Sequence, residues 1–320
     1  MQGVIALAAL PTLTRARGIA PPGARAAATA AGSGAVPSES GEGGRLTTPV
    51  SINGTGPYRF LVDTGAERTV IAEEIAAELR LPPGSEVLVE GIVRSVPAKL
   101  VLVERLGLGA LTCPRLEVPT LPRAMLEVDG YLGLDVLNGR RVIFDFASHT
   151  LKVTRSQGRF AALWTRADEV RVPTLGDSGR LRATDCRIDG VATAAFIDSG
   201  AQVTVSNLAL FAACQRHLPA QRTFGSVGLS GITGGTAIGQ VTLFDKIHFG
   251  GLTLTNTPVI VTDLEVFRLW GLRHRPALLM GMNCLRCFER VSIDYGRRLL
   301  KFAVPGAAVP AAEPVLQPFL

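Results

Sequence analysis

The chain has 320 residues, of which 47% are hydrophobic and 6% aromatic, with a formal charge of +6. That is ample apolar material for a packed core, while 35 glycines and 20 prolines without a fixed period exclude collagen and coiled coil and suit many short strands. The positive charge comes from scattered arginines rather than a basic stripe, so nucleic acid is not an expected partner, and a peptide with acidic segments is favoured instead.

In chain order, Gly3 to Leu10 is a short apolar stretch followed by alanine-rich sequence such as Ala26-Ala27-Ala28, which resembles a secretory signal. It falls short of the ~20 residues that a membrane span needs. The expectation is an exported protein, periplasmic or secreted, with the cytoplasm as alternative and no integral membrane segment. Residues 1–43 lack apolar periodicity and are expected to be disordered, as is the Pro- and Ala-rich tail 305–320.

Residues 44–155 form a first unit. Val50-Ser51-Ile52-Asn53-Gly54 reads as a strand entering a hairpin turn. The apolar run Phe60-Leu61-Val62 then delivers Asp63-Thr64-Gly65-Ala66. Ile71 to Leu79 has helical character, Glu90-Gly91-Ile92 is a glycine-centred hairpin tip, Tyr131-Leu132-Gly133-Leu134-Asp135 places two apolar residues before a glycine, and Val142 to Phe146 is a closing strand.

After a connection at 156–178, the order repeats in 179–304. Cys186 to Gly190 is the hairpin, Phe196-Ile197 leads into Asp198-Ser199-Gly200-Ala201, and Ser206 to His217 is the helical stretch. Ser230-Gly231-Ile232, with Gly234 close behind, is the second tip; Leu279-Met280-Gly281-Met282-Asn283 is the glycine segment; Val291 to Tyr295 is the closing strand. The aspartates lie 135 residues apart (198 − 63). From aspartate to glycine the distance is 70 residues in the first copy (133 − 63) and 83 in the second (281 − 198), with the surplus around Asp263 to Pro276 and expected to border the cleft.

Other chemistry is sparse. Cys113, Cys186, Cys214, Cys284 and Cys287 form no disulfide framework, and the Cys284/Cys287 spacing has no second pair or neighbouring histidine to complete a metal site. His149, His217, His248 and His274 are scattered. The glycines between Gly225 and Gly239 lack the lysine of a phosphate loop. No metal or cofactor is expected.

On these residues each copy resembles a retropepsin-type aspartic protease domain, the family of retroviral proteases and their bacterial relatives. The likeness covers residues 46 to 155 and 179 to 304. It implies an all-β fold with short helices: two homologous lobes related by a pseudo-twofold axis, fused in one chain. It further implies an aspartic endopeptidase acting on peptide or protein substrates. Asp63 and Asp198 would flank a water, one carboxyl as base and the other as acid. Thr64 and Ser199 would hydrogen-bond across to the opposing loop, Gly65 and Gly200 would let the backbone turn close to the acids, and Gly91, Ile92, Gly231, Ile232 and Gly234 would lie on flaps over the peptide. No pepsin-like flap tyrosine stands in the first copy.

Two carboxyls in contact share one proton and titrate as a pair. Ala66 and Ala201 offer no hydroxyl to steady an ionised carboxylate, which favours mildly acidic over strongly acidic activity. Two alternatives stay open: an obligate dimer pairing copies between chains, and a peptide-binding module without turnover.

Overall fold

The computed structural model describes residues 12–15, 36–37, 39–40, 46–156, 169–177, 180–216 and 222–305. The fold is mainly β with short helices, as two lobes over a shared sheet. Most of the disordered ends expected from the sequence lie outside the described residues. Within 1–43, three short strands are described, Thr12–Arg15, Val36–Pro37 and Glu39–Ser40, pairing with 252–255, 150–151 and 46–47 respectively.

Each lobe begins with the hairpin read from the sequence. In the first, Leu46–Ile52 pairs antiparallel with Thr55–Val62 around Asn53 and Gly54, both at positive φ, and in the second Cys186–Ile188 pairs with Val191–Ala192 around Asp189 and Gly190, again both positive. Asn-Gly and Asp-Gly suit this turn because its twist matches that of the flanking strands. Phe60, Leu61 and Val62 are buried, as are Phe196 and Ile197. An apolar run without alternation marks a strand covered on both faces.

A late strand slots in beside each aspartate strand. Gly130–Leu132 runs parallel to Phe60-Leu61-Val62, and Ala277–Met280 runs parallel to Ala194–Ile197. The Asp63 N–H donates to the Leu132 carbonyl and the Asp198 N–H to that of Met280, both at 3.0 Å. The inserted segment then turns at Gly133 or Gly281, where the amides of Leu134 and Met282 donate to the carbonyls of Ala66 and Ala201, each at 2.9 Å. The short helices Leu134–Leu137 and Met282–Leu285 follow.

The stretch Ile71 to Leu79 is mixed: Val70–Ala72 is a strand and Glu73–Glu78 a helix. In the second lobe the helix is Leu208–Gln215, capped by Asn207, whose side chain accepts from the Leu210 N–H at 2.9 Å. Two long hairpins, Pro83–Glu90 with Ser95–Leu108 and Arg222–Ser230 with Thr236–Phe249, project the glycine-centred tips.

The lobes are joined by six strands in the order 169–177, 299–303, 290–294, 140–145, 150–155, 36–37. At its centre Val142 faces Ile293 in antiparallel register. Glu169–Asp177, the end of the sequence-defined connection, is therefore an edge of this sheet, with Val170 opposite Phe302. An aromatic cluster anchors it, Phe302 lying 5.2 Å from Phe249 and 4.7 Å from Phe288 between ring centroids.

Candidate active site

Asp63 and Asp198 both stand one residue beyond a buried strand, where the chain leaves the sheet and turns. The loops interlock. Thr64 Oγ1 donates to the Ile197 carbonyl at 2.9 Å and accepts from the Ser199 N–H at 3.0 Å, while Ser199 Oγ donates to the Val62 carbonyl at 2.7 Å and accepts from the Thr64 N–H at 3.2 Å. Four reciprocal bonds between fully buried groups hold the two turns in fixed register.

Each carboxyl is also held from its own loop. Asp63 Oδ1 accepts from the amides of Gly65 and Ala66 at 2.9 and 3.1 Å, and Asp198 Oδ1 accepts from Gly200 and Ala201 at the same two distances. Glycine is required by the opposite lobe: a Cβ on Gly200 would lie 2.4 Å from Asp63 Cγ, and one on Gly65 would lie 2.9 Å from the Asp198 carboxyl. Only hydrogen leaves room for the two acids to approach.

The carboxyls are within hydrogen-bonding contact of each other. Asp198 is buried at 8% exposure, whereas Asp63 is partly open. Burial pushes the Asp198 carboxyl up, the Asp63 charge adds to the rise, and the amides of Gly200 and Ala201 oppose it, the net effect being upward to about 7. Asp198 thus holds a proton at pH values where an ordinary carboxyl has lost it.

A family model described as "Aspartyl protease" matches residues 48–136 and again 184–284. The chain belongs to the aspartyl protease family. Its two matches give the two-domain, retropepsin-like arrangement. The chain is also similar to the crystal structure of an aspartic proteinase from Irpex lacteus, at 15% identity and a TM-score of 0.51, covering 85% of this chain and 97% of that one. This second likeness is one of fold. No curated protein matches in sequence. Membership of the family supports aspartic protease activity and peptide substrates in general terms.

In this aspartyl protease the glycine-centred tips meet. Arg94 Nε donates to the Thr233 carbonyl and Thr233 Oγ1 donates to the Arg94 carbonyl, both at 2.7 Å. Gly91, Ile92, Gly231 and Gly234 all lie in this contact: Ile92 sits against Gly231, Arg94 against Gly234, and Thr233 against Gly91. Ile232 packs on the main core. The Ile92 carbonyl accepts from the Glu265 N–H at 2.9 Å, so the extra segment of the second lobe reaches the first tip.

That segment contains the helix Glu265–Leu269 and a small core of its own with Phe267, Leu264 and Phe196. Trp270 lies 4.9 Å from the Phe196 ring, and the Arg180 guanidinium stacks over Trp270 at 4.4 Å while pairing with Glu67 of the first lobe. Asn207 anchors the segment from below, its Nδ2 donating to the carbonyls of Leu272 and Arg275 at 2.8 and 2.7 Å and its Oδ1 accepting from Ala277. Sequence reading missed Arg94, Thr233, Asn207 and Arg180, because each works through a partner remote in sequence. The one local signal was Asn207 preceding an apolar helix.

The cysteines lie apart from this site. All are free thiols, and burial pushes Cys284 up to about 12 and Cys287 to about 11. Among the described residues no three or more His, Cys, Asp or Glu side chains gather as a metal ion would need, and no helix is long and apolar enough to cross a membrane.

Proposed function

We propose that the protein is an aspartic endopeptidase in which one water is activated between Asp63 and Asp198, one carboxyl from each lobe of a single chain. The observation that carries this reading is the reciprocal Thr64/Ser199 lock, which brings the two carboxyls together without a second chain. The pair shares a proton. Burial and the mutual charge raise the value at which that proton is lost, so one carboxyl takes a proton from water while the other donates to the scissile carbonyl oxygen.

The glycine-centred tips act as flaps that part to admit an extended peptide and then donate backbone hydrogen bonds to it. Export to the periplasm or beyond rests on the apolar leader, and cell fractionation tests it. For the reaction itself, Asp63→Asn and Asp198→Asn are each expected to lower cleavage of a denatured protein by at least about 1,000-fold while the purified variants stay folded. The wild-type rate should peak in mildly acidic solution and fall as pH rises past the raised Asp198 value. Cleavage that persists in either variant would remove the two-aspartate mechanism.

A further inference from the structure

At the exit of strand 290–294 in the shared sheet stands a buried polar side chain, Tyr295. Phe146 and Tyr295 occupy matching places at the exits of the two closing strands: the Phe146 N–H donates to the Glu289 carbonyl and the Tyr295 N–H to the Arg140 carbonyl, each at 2.9 Å. Their rings differ in surroundings. Phe146 is half-buried and stacks on Phe144 at 6.2 Å, whereas Tyr295 is buried at 6% exposure.

The Tyr295 hydroxyl lies beside Thr64, within electrostatic range of both Asp63 and Asp198, yet makes no bond of ordinary geometry. A buried hydroxyl left so is costly. Thr64 offers the complement. Its Oγ1 gives its one proton to Ile197 and accepts one N–H from Ser199, so one of the two lone pairs of a hydroxyl oxygen is unused by these bonds. In active sites such bonds are often long without substrate and tighten in the complex.

We propose that Tyr295 is a positioning residue for the aspartate pair, its phenol donating to the spare lone pair of Thr64 and stiffening the Asp63 loop from below. The proposal rests on Asp63 and Asp198 being the catalytic pair. The matching position holds a phenylalanine, with no proton to give, so the lock is supported on one side only. The titratable groups bearing on the phenol are the two aspartates, and on Asp198 it is Asp63. Burial and both carboxyl charges hold the phenol protonated, and therefore a donor, across the working range.

The test is Tyr295→Phe in the full chain, which restores the residue type of the matching position. Loss of one such bond should lower kcat about three- to tenfold with KM within about twofold. Looser carboxyls repel less, so the two limbs of the pH–rate profile should draw together, the alkaline limb moving to lower pH. Infrared titration of the carboxyls should show the same narrowing without relying on turnover. Should the wild type cleave no peptide, the functional reading fails, while the titration still decides the role of the phenol. If Tyr295→Phe does not fold, a ring-fluorinated tyrosine at 295, a stronger donor of nearly the same shape, should widen the interval between the limbs. Unchanged kcat and unchanged carboxyl titration in Tyr295→Phe, or no widening with the fluorinated ring, would overturn the proposal.

Discussion

Asp198 shows how the proton affinity of one residue is coupled to stability. Its folded-state value is raised above the ordinary carboxyl value, first by burial and then by Asp63. Between the two values the folded chain binds more protons than the unfolded chain, so the free energy of unfolding falls as pH rises. The contribution is fully present below pH ~4, the usual aspartate range, and is lost as pH climbs through the raised value of about 7. Asp198→Asn should flatten this slope. Melting temperatures of the two proteins should therefore diverge on going from pH 4 to pH 8, the variant gaining relative to wild type; parallel curves would show that the carboxyl is not strained in the folded state.

At the scale of elements, the two tip hairpins are joined by an unequal clasp. Thr233 is fully buried and Arg94 exposed, although their reciprocal bonds are equal in length. The first tip is also tied to the extra segment through Glu265, while that segment is itself fastened by three side-chain bonds of Asn207, to Leu272, Arg275 and Ala277. Thr233→Val preserves shape and removes one donor, a loss of about 1 kcal/mol. Amide exchange at 91–94 and 231–235 should quicken about fivefold in the variant, with exchange in the shared sheet unchanged. Equal exchange at the tips would mean that Arg94 and the Glu265 tie hold them without Thr233.

For the whole molecule, the decisive matter is how many chains make one site. The lock, the tip clasp and the six-stranded sheet all form within one chain. Mixing Asp63→Asn with Asp198→Asn should accordingly restore no activity, and light scattering of the active wild type should return the mass of one chain, 33.8 kDa. Recovery on mixing would mean that the copies pair between molecules, as in the dimeric alternative.

The amino-acid sequence alone determined the duplicated plan, because each step of it is local: an apolar run ending in Asp, a hydroxyl residue and Gly; an Asn-Gly or Asp-Gly turn; two apolar residues before a second glycine. It also located the surplus near Asp263 to Pro276. What only the tertiary structure decided are the unequal features. Asp198 is more buried than Asp63, Arg94 meets Thr233 across 139 residues, Asn207 reaches Leu272 across 65, and the buried Tyr295 comes within electrostatic range of both aspartates. Local patterns report which residues can turn, span or bury, whereas burial, proton affinity and side-chain partners depend on which distant segments the chain closure brings alongside.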